Sequence, residues 1–225
     1  MKTTKTKQRD GVMEKGFTLI ELLVVIAIIA IIAAMVTGLS ALASRKKHDA
    51  VVTAEKNALM LFISSYHSKT GFYPPDNANN VNWPPGSVQY ERYTGQNPLL
   101  YELTGAPLLT NNNFLAFDGS TISGSIFGAA YGRGGIANSL PDETRSYYQP
   151  LPGPKDYMAT NVNGVSLKQL VVPVSLTFAP RELNWWHYDC SNPNRHNSSG
   201  FDLWAEYNAG KDSSNNPIII TNGNW

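Results

Sequence analysis

Apolar residues are distributed unevenly along the chain and divide it into unlike parts. Met1 to Lys15 is polar and mostly basic, with Lys2, Lys5, Lys7, Arg9 and Lys15 against Asp10 and Glu14. Leu22 to Val36 reads LLVVIAIIAIIAAMV, fifteen apolar residues without interruption. Between Phe17 and Ala43 only Thr18, Glu21, Thr37, Gly38 and Ser40 depart from an apolar or helix-favouring pattern. As a helix these 27 residues would extend roughly 40 Å, at about 1.5 Å per residue. A bilayer's hydrocarbon core is about 30 Å thick, so the segment is predicted to span. The basic leader is expected on the cytoplasmic side. Arg45, Lys46 and Lys47 partly offset that bias. The leader comes first and carries more charge, which places the C-terminus outside.

From Ser44 the pattern becomes amphipathic without a break. Val52, Leu59, Phe62, Ile63 and Tyr66 fall near one face of a 3.6-residue period, with Lys46, Lys47, Asp49, Glu55, Lys56 and Lys69 between them. Neither Gly nor Pro interrupts the stretch from Leu39 to Thr70. Thr70-Gly71 ends it and Pro74-Pro75 prevents its resumption. One helix is therefore expected from about Phe17 to Lys69, roughly 80 Å long.

Gly71 to Trp225 is a different material, rich in Asn, Gly and Pro-Pro turn signals. Asn97 to Leu103 reads as a short helix. Strands are predicted near Leu170 to Phe178, Trp185 to Cys190, Phe201 to Tyr207 and Pro217 to Thr221. Phe201, Leu203, Ala205 and Tyr207 alternate onto one face. Pro173 and Pro180 confine the first of these strands to an edge or shorten it. The connections are too short for helical crossovers, so the pairing is expected to be antiparallel. The fold class is α+β: a long N-terminal helix packed on a small antiparallel β-sheet head with long loops.

The junction Lys15-Gly16-Phe17-Thr18-Leu19-Ile20-Glu21-Leu22 carries the candidate chemistry. Here the chain resembles the prepilin and pseudopilin family, whose signature is a basic leader ending in Gly, then Phe-Thr-Leu-Ile-Glu, then an apolar helix. The match is complete from Gly16 to Glu21. The resemblance implies cleavage between Gly16 and Phe17 by a prepilin peptidase, and N-methylation of Phe17. The mature chain would then have 209 residues. It also implies that Glu21, an acid at the edge of an apolar helix, is paired in the filament with the Phe17 amine of a neighbouring copy. An acid in an apolar bundle is costly without such a partner. The implied organisation is a removed leader at 1–16, a transmembrane and assembly helix at 17–43, its amphipathic continuation at 44–69 and a pilin-like head at 70–225. The implied partners are the peptidase, copies of the chain with other pilins or pseudopilins, an inner-membrane assembly platform and the lipid bilayer. The implied location is the inner membrane, single-pass, with the head in the periplasm.

Downstream, YHSKTGFYPP at 66–75, NPLLYELTG at 97–105 and the terminal FDLWAEYNAG…IIITNGNW look like major pseudopilins of type II secretion. In that group a C-terminal loop often binds calcium through several acids. Here the loop Asn208 to Asn216 holds only Asp212. Calcium takes six to eight oxygens, so no cofactor is expected. Gly38 stands where many relatives carry proline; it either eases a local melt on assembly or lets helices approach closely.

Composition narrows the alternatives. Net charge is +1 with 16% charged residues, which gives no basis for a nucleic-acid partner. Cys190 is the single cysteine, so no intrachain disulfide forms, and it is expected to be buried. His187, Asp189, Cys190 and His196 cluster in sequence without a standard zinc spacing. Tyr131-Gly132-Arg133-Gly134-Gly135 reads as a plain loop, and Trp185, Trp186 and Trp204 as packing residues rather than a ligand platform. No catalytic motif is present in the sequence, and no enzymatic activity is expected. Two other readings stay open. One is a secreted domain cleaved after Ala41-Leu42-Ala43. The other is an anchored binding module, for example for glycans.

Overall fold

The computed structural model describes residues 16–140, 142–173, 184–212, 214 and 216–225, with backbone only at 36–42. The chain divides between Ser44 and Arg45 into two compact units. The leader up to Lys15, the surroundings of Gly38 and, of the strand predicted near Leu170 to Phe178, everything from 174 onward lie outside the described residues.

Helix α1 is Leu19–Thr70. In the first unit every described side chain from Phe17 to Met35 is exposed, Phe17 at 86% and Met35 at 64%. Among the described residues no helix is long and apolar enough to cross a membrane. The first stretch of described apolar side chains in α1 reaches only to Met35, and Leu19 to Met35 rises about 25 Å. The predicted span at 17–43 depends on 36–42 as well.

In the second unit α1 buries most of the face its period predicts: Val52, Leu59, Ile63 and Tyr66 are fully covered, while Phe62 is only partly buried. Gly71 ends the helix at φ 81°, its N–H donating to the His67 carbonyl at 2.8 Å. That left-handed conformation costs a residue without Cβ nothing. The chain continues through α2 (Val88–Gly95), α3 (Leu99–Thr104), β1 (Asn113–Leu115), β2 (Thr121–Ser123) and α4 (Gly124–Tyr131). It then forms β3 (Tyr157–Val162), β4 (Val165–Leu170), β5 (His187–Asp189), β6 (Asp202–Lys211) and β7 (Pro217–Gly223).

The expectation of one small sheet needs correction. Three separate antiparallel sheets form among the described residues: β1-β2, β3-β4 and β5-β6-β7. The predicted short helix is present as α3. The α2 and α4 helices were not predicted.

Two apolar clusters hold the head together. In the first, the buried face of α1 packs with Leu99, Leu100 and Leu103 of α3, Leu203, Ala205 and Tyr207 of β6, and fully buried Trp186. In the second, Tyr101, Phe114, Ile122, Phe127, Tyr131 and Leu167 pack together. Polar contacts fix α1 against the C-terminal sheet. Lys56 donates to Asn222 Oδ1 at 2.6 Å and to the Gly223 carbonyl at 2.5 Å, and Tyr207 donates to Asp49 at 2.8 Å. The Arg45 guanidinium donates to the Lys211 carbonyl at 2.6 Å. Trp186 donates its indole N–H to Glu55 at 3.2 Å.

Candidate functional site

Thr-Leu-Ile-Glu is a capping-box sequence directly before an apolar run. Thr18 precedes the first helical residue. Its N–H and hydroxyl both donate to Glu21 Oε2 at 2.8 Å, and the Glu21 N–H donates back to Thr18 Oγ1 at 3.3 Å. Two of the helix's first N–H groups, otherwise without intrahelical acceptors, are satisfied this way. The carboxylate also complements the positive end of the helix dipole. Gly16 and Phe17 lie just outside the helix and exposed, and nothing approaches within 4 Å of where a Gly16 Cβ would stand. The Gly16-Phe17 bond is therefore uncovered among the described residues. The reciprocal role of Thr18 was missed in the sequence, although the Thr-x-x-Glu spacing signals it.

The head gathers a second polar constellation, also unforeseen. Asp76 follows Pro74-Pro75 and is fully buried. Its carboxylate accepts from the Cys190 N–H at 2.9 Å, the Ser191 N–H at 3.0 Å, the Ser191 hydroxyl at 2.8 Å and Asn80 Nδ2 at 3.0 Å. The Arg133 guanidinium stands 3.7 Å away and also donates to the Asp76 carbonyl. Asp189, equally buried, accepts from Tyr90 at 2.7 Å, the Asn192 N–H at 2.9 Å and Asn80 Nδ2 at 3.2 Å. Burial raises the Asp189 pKa, and the neighbouring Asp76 charge adds to the rise. Protein donors converge on both carboxylates, so the arrangement ties the segment after α1 to the segment after β5. Buried acids are tolerable when so bonded.

The residues clustered in sequence at 187–196 do not converge on one point. His187 Nδ1 lies 3.0 Å from the Thr94 hydroxyl and 3.5 Å from Glu91, while Asp189 serves Tyr90. The Cys190 thiol donates to the Pro74 carbonyl at 3.3 Å, and His196 faces Asp202 at 3.1 Å. Among the described residues no three His, Cys, Asp or Glu side chains are grouped to hold a metal. Cys190 is partly rather than fully buried, and burial pushes its thiol up to about 12. Asp212 accepts from the Ser214 and Asn216 N–H groups at 2.8 and 2.9 Å, so its carboxylate closes its own turn. Tyr131 is not part of a loop: it ends α4 and is fully buried, and Gly132 caps the helix at φ 67°. Trp185, Trp186 and Trp204 are all buried, at 4, 0 and 5% exposure, and present no open platform.

Residues 13–37 match the family model described as the prokaryotic N-terminal methylation motif. The comparison with curated proteins and with solved structures gives no match. The matched stretch contains Gly16, Phe17, Thr18 and Glu21. It supports a prepilin-type chain and prepilin-type processing.

Proposed function

We propose that this chain is a structural subunit of a pilin-like filament, in the form of a type II secretion pseudopilus. A prepilin peptidase cuts between Gly16 and Phe17, and the new amino end is N-methylated. The apolar half of α1 anchors the subunit in the inner membrane with its head in the periplasm, then exchanges lipid for neighbouring helices on assembly. Glu21 meets the Phe17 amine of an adjacent copy. The head binds no metal in this reading. One observation carries the proposal: the methylation-motif match falls on a capped helix start, next to an exposed Gly-Phe bond and a run of uncovered apolar side chains. Such a surface needs lipid or protein around it.

The test is intact-mass and N-terminal analysis of the protein from its native membranes. A mature chain starting at N-methyl-Phe17 is expected. A chain starting at Met1, or at Ser44 as after signal-peptide cleavage, would overturn the proposal. Cross-linking in cells that make secretion components or surface pili then separates the pseudopilus from a surface pilus.

A further inference from the structure

The β6–β7 hairpin climbs α1 in step. The Arg45 guanidinium donates to the Lys211 carbonyl at 2.6 Å, the Tyr207 hydroxyl to Asp49 at 2.8 Å, Asn222 Nδ2 to the Thr53 hydroxyl at 2.9 Å, and Lys56 to the Gly223 carbonyl at 2.5 Å. The paired residues Lys211 and Pro217, at the open end of the hairpin ladder, therefore lie at the Arg45 end of this stretch. That is the end at which the chain arrives from its apolar run. Gly210, at φ 128°, brings the strand close: a Cβ there would stand 3.7 Å from Arg45 Nε. Arg45, Lys46, Lys47 and Lys211 put four positive charges at this end. Both Lys46 and Lys47 are exposed, as is Lys211. The nearby acids have donors of their own. Asp49 accepts from Tyr207, and Asp212 from the Ser214 and Asn216 N–H groups, with the Arg45 charge acting on it as well. Among the described residues neither Lys46 nor Lys47 forms an ion pair.

Successive residues of a helix are turned about 100° apart, so Arg45, Lys46 and Lys47 fan around α1 instead of converging. Such a fan does not close on one compact anion; it suits a layer of anions surrounding the helix. On the outer side of a membrane these cations also work against the charge bias that orients the anchor, and no acid of the head accounts for Lys46 and Lys47. We propose that this collar binds the phosphate groups of anionic phospholipids in the leaflet on the head's side of the membrane. The inference rests on the anchored reading above and adds the class of lipid. Lysine stems lie along apolar surface while their ammonium groups stay at headgroup level. Each lysine or arginine close to an anionic lipid surface favours it about fivefold.

The experiment uses the full chain reconstituted in phosphatidylcholine vesicles, probed by electron spin resonance with trace spin-labelled phosphatidylglycerol or trace spin-labelled phosphatidylcholine. The share of each label slowed by the protein gives its relative affinity. Phosphatidylglycerol is expected to be preferred about fivefold. The preference should fall to less than half when Lys46→Gln and Lys47→Gln are combined, and in about 1 M salt, where the Debye length is about 3 Å. Lys46→Arg with Lys47→Arg should keep it. Lys69→Gln removes an exposed charge about 33 Å further along α1 and should leave the preference unchanged. Equal slowing of both lipids by the parent, or an undiminished preference in the double Gln variant, would overturn this proposal alone. An equal fall in Lys69→Gln would assign the preference to net charge and overturn it too. If neither lipid is slowed, the anchored reading fails, and the collar with it.

Discussion

Thr18 and Glu21 hold each other: the carboxylate accepts twice at 2.8 Å from Thr18, whose hydroxyl accepts the Glu21 N–H at 3.3 Å. Glu21 therefore has a task within its own helix before any neighbour arrives. The capping and pairing roles are separable by substitution. Glu21→Ala should be cleaved and methylated like the parent but be absent from filaments. Glu21→Gln keeps an acceptor for the Thr18 N–H without the charge, and should be excluded as well. Filaments containing Glu21→Gln at parental levels would show that the cap suffices and that charge pairing is not needed. Thr18→Ala loses the reciprocal cap, a loss of about 1 kcal/mol at the helix start, and should reduce incorporation without preventing processing.

Leu59 and Leu61 test the division of α1 within the head. Leu59 is fully buried in the first apolar cluster, while Leu61 is 63% exposed. Leu59→Ala removes core volume that neighbours only partly refill, and should destabilise the head by about 3 kcal/mol. Leu61→Ala should change it by less than about 0.5 kcal/mol. Urea unfolding of the detergent-solubilised chain, followed by tryptophan emission, reads both. Equal losses would mean that the apolar stripe is not the face that packs.

Periodicity made the long-range architecture legible where elements were long enough to show it. The face Val52, Leu59, Ile63 and Tyr66 repeats at helical spacing and is buried. FDLWAEY alternates, and from Asp202 onward it forms part of β6. Its other face holds Asp202 and Trp204, both buried as well, because α2 and the C-terminal residues cover the strand. β1 and β2 have three residues each, too few for any period to emerge. The sequence of α4, GSIFGAAY, hides a helix behind two poor helix formers. At the amino end the motif singled out Gly16, Phe17 and Glu21, and Thr18 was read as part of a signature rather than as a cap. Asp76 and Asp189 had no local signal, since what joins them is a fold that closes a separation of more than a hundred residues.

That junction sets a third expectation. Asp76→Ala would leave the Cys190 and Ser191 N–H groups, Asn80 Nδ2 and Arg133 without their shared acceptor. Leaving buried donors without their acceptor costs about 1–3 kcal/mol, and Arg133, itself 42% exposed, adds little. Asp76→Asn keeps the shape but turns one acceptor into a donor facing other donors, and should recover only part of the loss. Thermal unfolding should rank parent, Asn and Ala in that order. Parental stability for Asp76→Ala would mean that the segments after α1 and β5 are held by apolar contacts alone.

Glu55 gives the stability of the head a pH dependence of predictable sign. Burial pushes its carboxyl up to about 8; the Trp186 hydrogen bond opposes the rise and the Asp156 charge adds to it. Among the described residues its Oε2 is buried without a hydrogen-bond partner, an environment that favours a neutral acid. The folded chain then holds a proton that the unfolded chain, titrating near 4.5, has released. The stability contributed is fully present below pH 4.5 and is lost as pH rises to about 8. Glu91 and Glu102, each pushed up to about 7 chiefly by burial, slope the same way, so the parental curve by itself does not isolate Glu55. Glu55→Gln does, because it keeps an oxygen for the Trp186 N–H and never ionises. Its unfolding temperature should match the parent's near pH 4.5, exceed it increasingly at higher pH, and hold a constant lead beyond about pH 8. A gap that stays the same across the whole range would mean that Glu55 does not titrate between those limits.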